Sequence, residues 1–423
     1  MSIILKNATY INWETLEFSE THIKVHEGID GKIEFFENLD KTPIDEKDTI
    51  IDCEGKYVTK SFAVGHHHAY SALAKGMPAP KKSPEDFSEI LKYIWWNLDK
   101  ALDKETIEAS ALATAMAAAK AGSAFIIDHH ASPNNIKGSL DVIAKAFDKV
   151  GMSHLLCYEI SDRDGLEKAQ EGLDETYSFL ENNQGLVGLH ASFTIGDNTL
   201  KKAVKLMEQT NSGIHIHVAE DQMDQAFTIE HYGKRVVERL HDFGALDSSK
   251  TILAHCLHVD EKERDILRKA RSFVVQNAES NLNNNVGFFN SRGLGDNIML
   301  GTDGMHSDMI RSAQSAFFAG KAIDKIDFDS TYERFQRVHH YLKSNNFKGD
   351  GENNLVVLDY DAPTEMNSRN FLGHFVFGWN TSQIEHVISN GELILKNRIL
   401  QKVNEQEVLQ YTKEQANRLW KKL

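Results

Sequence analysis

His66-His67-His68 close a short apolar run, Phe62-Ala63-Val64, and further runs end in His217-Val-Ala-Glu220, His255-Cys-Leu-His258 and Thr302-Asp303. Imidazole nitrogens and carboxylates brought together from several strand ends are the groups a catalytic metal centre needs. Side chains alternate along a strand, so His66 and His68 face one side and His67 the other. That makes His66 and His68 a ligand pair. A metal that keeps a position open for water takes about three protein ligands, so a further His and an acid must come from elsewhere, and His217 and Asp303 are the best candidates. Any one of these positions alone reads as a hydrogen-bonded core residue; the same chemistry at four strand ends does not.

The elements that must hold these residues are legible as alternating patterns. Apolar, β-branched runs lie near residues 62–66, 123–128, 153–159, 186–191, 213–219, 250–256, 272–276 and 297–301. Helical patterns separate them, among them Ile107 to Ala121, Leu166 to Leu180, Leu200 to Thr210, Lys234 to Phe243 and Lys262 to Ala270. Continuous apolar strands, each followed by a helix, imply a parallel sheet buried on both faces. Eight of them closed on themselves make an α/β fold of the (β/α)8 barrel type, whose active site lies at the C-terminal strand ends. The His, Glu and Asp residues fall there. Short segments broken by Gly and Asp at both termini predict a small composite β domain from residues 1–56 and 351–423, with a last helix from about Glu405 to Leu423; the barrel takes 57–350. The polar Asn281 to Asn285 cluster reads as a loop above the barrel.

With 423 residues and 41% hydrophobic content, the chain can bury a large domain and a smaller one. Its 62 acidic against 47 basic residues, a net −15, and its lack of Lys/Arg blocks argue against nucleic acid or anionic membrane as partner. Met-Ser-Ile-Ile-Leu-Lys is not a basic leader followed by a long apolar stretch, and no run is long enough to span a bilayer, so a cytoplasmic protein is expected. Cys53, Cys157 and Cys256 fit neither a disulfide framework nor a thiolate zinc cluster and read as buried thiols.

His-x-His after the first run, His-x-x-Glu after the fifth, His after the sixth and Gly-Thr-Asp-Gly after the eighth resemble the amidohydrolase superfamily. The likeness is to its mononuclear aminohydrolase branch, which holds guanine, cytosine and S-adenosylhomocysteine deaminases with triazine chlorohydrolases close by. It covers the whole chain, including Ile388-Ser389-Asn390-Gly391-Glu392. Ala69-Tyr70-Ser71-Ala72-Leu73-Ala74-Lys75-Gly76-Met77 and Asp128-His129-His130-Ala131-Ser132-Pro133 are similar to the SsnA-like aminohydrolases. One departure stands out: the superfamily's Pro-Gly-x-x-Asn is replaced by Lys60-Ser61-Phe62-Ala63-Val64.

The resemblance implies His66, His68, His217 and Asp303 as metal ligands, and Glu220, His255 and Asp303 as catalytic groups. Dinuclear members bridge their metals from the fourth strand with a Lys or carboxylate, and Gly188-Leu-His190-Ala-Ser-Phe193 offers neither. One divalent metal per chain is therefore expected, Zn²⁺ first and Fe²⁺ as the alternative. The implied reaction is hydrolytic deamination of an aminated heterocycle: Asp303 and His255 orient a water and take its proton, and Glu220 protonates a ring nitrogen. Ring opening of a cyclic amide and dechlorination on the same scaffold stay open, while a non-catalytic metal-binding scaffold would have no need of Glu220. Between His255 and His258 only the family pattern decides. His190, Arg163 and Tyr70 are the candidate substrate contacts; His129 and His130 border the mouth, and Met77 and Trp95-Trp96 line or cover it. The partners expected are a small heterocycle and, as an open alternative, a second copy of the chain in a homodimer.

Overall fold

In the computed structural model, which describes residues 2–38 and 45–423, the apolar runs form strands β1 (Phe62–His67), β2 (Ser123–His130), β3 (Ser153–Tyr158) and β4 (Val187–Ala191), followed by β5 (Ile214–Val218), β6 (Ile252–His255), β7 (Phe273–Gln276) and β8 (Ile298–Leu300). Strands β1 to β3 pair in parallel, and so do β4 to β8. Bridges between Leu156 and Gly185 and between Ile160 and Leu189 join β3 to β4, and one between His67 and Asp303 joins β1 to the chain beyond β8. Both seams are thus closed, giving the (β/α)8 barrel.

The period of two along each strand divides its side chains between two cores. Phe125, Ile127, Leu155, Val275 and Met299 fill the barrel interior, floored by Val338, Tyr341 and Leu342 of the helix Phe328–Ser344. Ile126, Leu156, Val274 and Leu300 point outward, into the layer covered by the surrounding helices. Burial on both faces is why these strands read as continuous apolar runs rather than as alternating ones. The Ala-rich helix Lys104–Lys120 starts at Asp103, whose carboxylate accepts the Thr106 N–H at 3.1 Å, an N-cap that satisfies one orphan donor of the first turn.

Both termini share one further sheet. Its strands run in the order Ile399–Leu400, Glu392–Lys396, Ile384–Ser389, Leu355–Leu358, Tyr57–Lys60, Ser2–Ile11, Phe18–His26 and Ile33–Phe36, with Thr49–Asp52 alongside Ser2–Ile11. Tyr57–Lys60, which the sequence reading assigned to the barrel segment, runs in this sheet beside Leu355–Leu358, and the chain enters the barrel at Ser61. Lys60 explains the altered motif. Its buried ammonium lies 3.0 Å from Asp350 Oδ1 and donates to the Asp350 carbonyl at 2.9 Å, while His339 Nδ1 meets Asp350 Oδ2 at 2.8 Å. An ion pair thus stitches sheet to barrel at that turn. The last helix, Glu405–Trp420, packs on Lys104–Lys120, and its Trp420 indole donates to the Leu73 carbonyl at 2.8 Å, just beyond the His66–His68 segment. The three cysteines are buried and unbridged, and among the described residues no helix is long and apolar enough to cross a membrane.

Candidate metal centre at the barrel mouth

His66 and His68 project from the end of β1 to one side, while His67 turns away to Thr302 Oγ1 at 2.9 Å. The adjoining chain allows no bulk: a Cβ on Gly301 would stand 2.9 Å from His66 Cβ and 2.4 Å from Asn277 Oδ1, so the first residue of Gly-Thr-Asp is held to glycine by packing. Ligand atoms of His66, His217, His255 and Asp303 all lie within 4.8 Å of one another. His68 Nε2 is 3.1 Å from both His217 Nε2 and Asp303 Oδ1, and His66 Nε2 is 3.4 Å from the same oxygen.

Hydrogen bonds on the far side of each ring set the tautomers. His68 Nδ1 donates to the His129 carbonyl at 2.7 Å and His217 Nδ1 to the His190 carbonyl at 2.8 Å, so the two Nε2 lone pairs face each other. Such a contact is tolerable only with a proton or a cation between the rings. His66 Nε2 and His255 Nε2 are buried without a hydrogen-bond partner, which costs free energy unless something binds them. Burial pushes His66 down to about 3 and His217 well below the usual imidazole range, so both are neutral donors of electron pairs. Burial lowers His68, but the hydrogen bond and charge of Asp303, the charge of Glu159 and the His129 carbonyl together outweigh it and carry the group up to about 9. The centre draws positive charge to the place where the lone pairs converge, and its donor set fits a divalent cation.

Behind His66 stands a directed chain that the sequence reading did not single out. His66 Nδ1 meets His215 Nε2 at 2.8 Å, His215 Nδ1 lies 3.6 Å from Cys157 Sγ, and Cys157 donates to the Asp128 carbonyl at 3.5 Å. With His66 giving its Nδ1 hydrogen, His215 and Cys157 each receive one hydrogen and give one, and the Asp128 carbonyl receives the last. The only sequence signal was His215 at two residues before His217, which puts both on the same side of β5.

Glu220 and His255 reach the centre through left-handed backbone. Alternation from His217 would turn Glu220 outward, but Ala219 has φ 45° and reverses it; His255 (φ 72°) and Asp303 (φ 50°) share this conformation. Left-handed non-glycine residues cost about 1–3 kcal/mol each and persist where the surrounding structure compels them. Here the Asp224 carboxylate accepts the Ala219 N–H at 2.9 Å, and Val218 and Ala219 carbonyls accept the N–H groups of Cys256 and His258. Glu220 Oε2 lies 3.6 Å from His255 Nε2, and burial pushes the Glu220 carboxyl up to about 7. His258 is directed elsewhere, with Nε2 donating to the Val286 carbonyl at 2.7 Å. The geometry therefore separates two histidines that spacing could not.

The Asn281 to Asn285 cluster is helical only through Asn283 and closes in a turn at Asn284 and Asn285. A short helix, Ala278–Asn283, lies over the mouth and with its C-cap Asn284 supplies three groups: Ser280 Oγ donates to Asp303 Oδ2, Asn281 Oδ1 meets His255 Nδ1 at 2.8 Å, and Asn284 Nδ2 lies 3.4 Å from Glu220 Oε1. Repetition of Asn masked the helix, because Asn is a weak helix former.

A cavity of about 800 Å³, counted with its open mouth, adjoins the cluster. Tyr70, Arg163 and His190 all line it, as do Trp95, Trp96 and, unforeseen, Glu159. Tyr70 packs edge-on against His68, with ring centroids 5.4 Å apart, and His190 Nδ1 meets Thr194 Oγ1 at 2.8 Å. Met77 instead lines a separate groove beside Trp420. His129 lies beneath the cavity, with Nε2 donating to the Leu189 carbonyl at 3.1 Å, whereas His130 turns away to Ser132.

Residues 62–333 match the amidohydrolase family. Over 421 residues the chain is 28% identical to a 5'-deoxyadenosine deaminase of Methanopyrus kandleri, covering 92% of this chain and 93% of that one. It is 26% identical to a 5-methylthioadenosine/S-adenosylhomocysteine deaminase of Thermoanaerobacter pseudethanolicus, covering 88% and 89%. Among solved structures, a zinc-bound adenosine deaminase from Xanthomonas campestris superposes with a TM-score of 0.83 at 17% identity over 99% of this chain and 98% of that one. A zinc complex of atrazine chlorohydrolase from Arthrobacter aurescens gives 0.82 at 13% identity over 98% and 100%. With the family match spanning the barrel from β1 past β8 and the same fold returned end to end, this chain belongs to the amidohydrolase family.

Proposed function

We propose that the protein is a metal-dependent hydrolytic deaminase of an aminated heterocycle, with adenosine derivatives as the first class to test. The observation that carries this reading is the buried Glu220 carboxyl, raised to about 7 and set beside a convergent His/Asp cluster at the mouth of the barrel. A carboxyl poised there can give a proton to a ring nitrogen at neutral pH, and the neighbouring acid-base groups can supply the further proton that a departing amine needs and a departing halide does not. The names of the relatives support it.

In this reading His66, His68, His217 and Asp303 hold one divalent metal, Zn²⁺ before Fe²⁺. A metal so held supplies Lewis acidity, bringing the pKa of a coordinated water toward neutrality. A second ligand cluster, His68, His129, Glu159 and His217, shares His68 and His217 with this proposed ligand set. His217 has a single free lone pair, its Nδ1–H being given to the His190 carbonyl, so it serves one ion at a time. That supports one metal per chain.

Asp303, fixed by Ser280 and 4.0 Å from His255 Nε2, orients the attacking water and takes its proton with His255. Glu220 protonates the ring nitrogen as the amino-bearing carbon becomes tetrahedral, then recovers a proton as the C–N bond breaks. The proton held by Asp303 and His255 leaves with ammonia, Glu220 takes the proton of the new hydroxyl, and the ring keeps its N–H beside a carbonyl, the tautomer in which NH₂ has been exchanged for OH. The test is a mass-spectrometric screen of aminopurines, pterins, aminopyrimidines and adenosyl thioethers: ammonia and a product one mass unit heavier are expected from at least one. Gain of a whole water from a cyclic amide would replace deamination by ring opening, and chloride from a chlorinated triazine would replace it by dechlorination.

His215 acts on the metal through His66. By accepting the His66 Nδ1 hydrogen it keeps the Nε2 lone pair turned to the centre. Removal of that acceptor in His215→Leu is expected to weaken metal affinity by roughly 10–100-fold, the range for partners of ligating histidines. His215→Gln, whose amide oxygen can accept the same hydrogen, should recover part of it. Chelator competition on the two purified proteins, checked for equal thermal midpoints, reads this directly; wild-type affinity in His215→Leu would contradict the role.

A further inference from the structure

On the wall of the cavity, Arg163 is enclosed by acids. Its Nε donates to Asp164 Oδ2 at 3.0 Å, Nη2 donates to Asp99 Oδ2, Nη1 lies 3.5 Å from Glu159 Oε1, and the Trp96 ring covers one face at 5.2 Å. Bidentate capture of a carboxylate needs a free pair of parallel N–H groups; here Nε and Nη2 are given to Asp164 and Asp99, and only Nη1 lacks a hydrogen bond, with Glu159 facing it. The neighbouring cation, Lys100, is held 2.8 Å from Asp164 Oδ1.

Glu159 is placed differently. It is buried yet lines the cavity, and its contacts with Arg163 Nη1 at 3.5 Å and His129 Nδ1 at 3.4 Å are long for hydrogen bonds. His129 Nδ1 is itself fully buried without a hydrogen-bond partner. A carboxylate accepts along about four lone-pair directions, so Glu159 keeps acceptor capacity toward the cavity. Burial works against its ionised form, but His190, His129 and Arg163 outweigh burial and hold the carboxyl well below its ordinary range. Around Arg163 the wall thus presents carboxylates in excess, and among the described residues no second Lys or Arg lines the cavity.

We infer that this enzyme selects heterocycles whose side arm carries no carboxylate, and that Glu159 accepts a hydrogen bond from an O–H or N–H donor on that arm. The inference rests on the deaminase reading above and adds a class of substrate to it. A carboxylate brought against this wall meets like charge without a guanidinium to answer it, whereas a hydroxyl or ammonium group meets an acceptor.

The experiment compares matched arms by ammonia release. The probes are 5'-methylthioadenosine, S-adenosylhomocysteine and its decarboxylated analogue, together with a pterin and its 6-carboxylate. On whichever scaffold turns over, the carboxylate-bearing member is expected to show kcat/KM lower by about tenfold or more, mainly through KM. The decarboxylated analogue, of nearly the same length, should recover it, which separates charge from size. Glu159→Gln should narrow the gap, and Asp99→Asn, which loosens one edge of Arg163, should narrow it independently. Equal or better turnover of the carboxylate-bearing member by the unmodified enzyme overturns the inference, and an unchanged gap in folded Glu159→Gln overturns the part given to Glu159. Absence of ammonia from every scaffold overturns the deaminase reading and the inference with it, an outcome distinct from turnover without discrimination.

Discussion

Replacing Glu220 by Gln is expected to leave the protein folded with its metal content unchanged and to lower turnover by roughly 10²-fold or more, the scale of a lost general acid-base group. Gln keeps the size of the side chain and an oxygen toward Asn284 Nδ2, which lies 3.4 Å from Glu220 Oε1. It has no proton to exchange. The group is suited to the task because burial pushes its carboxyl up to about 7, so protonated and ionised forms are both populated near neutral pH. The decisive measurement is kcat on a verified substrate, with metal content determined on the same preparation. Full activity in Glu220→Gln would remove the proton-transfer role, and a parallel loss of metal would move Glu220 into the ligand set.

The ligand variants should behave in the opposite way. Asp303→Ala and His217→Ala are each expected to lose metal and activity together, with affinity falling beyond the roughly 100-fold upper range known for outer partners of ligands. Asp303 is the common neighbour of the centre, 3.4 Å from His66 Nε2 and 3.1 Å from His68 Nε2. Its removal takes away the one anionic ligand and the group whose hydrogen bond and charge raise His68. Elemental analysis of dialysed wild-type protein should give close to one divalent metal per chain; two retained equivalents would refute the single-metal reading. Failure of Zn²⁺, Fe²⁺ or Mn²⁺ to raise the activity of metal-stripped protein would refute the centre itself.

The sequence by itself determined the barrel and the identity of most groups at its mouth. Buried parallel strands leave continuous apolar runs such as Phe125-Ile126-Ile127, and His66, His68, His217 and Asp303 stand where those runs end. Alternation along a strand was enough to separate His66 and His68 from His67, because a period of two is a local property of extended chain. What lies beyond the strand ends escaped this logic. Glu220 enters the site only because Ala219 takes a left-handed turn, and that turn is compelled by Asp224 and by the chain around Cys256 and His258. Likewise His255 and His258 differ through partners on remote segments, Asn281 and the Val286 carbonyl.

Charge environments were decided at the tertiary level as well. Arg163 in sequence is a cation beside Asp164; in the fold Asp99 and Trp96 of the helix Trp96–Ala101 and Glu159 at the end of β3 close around it, so its charge is committed and its availability changes. Glu159 gave no signal in the sequence, since a single acid after an apolar run is ordinary, and only the convergence of β2 and β3 sets it against His129. The chain of His66, His215 and Cys157 crosses three strands for the same reason. Local pattern determines direction and burial over a few residues, whereas hydrogen-bond partners, tautomers and pKa shifts depend on groups far apart in sequence, which only the closed barrel brings within reach.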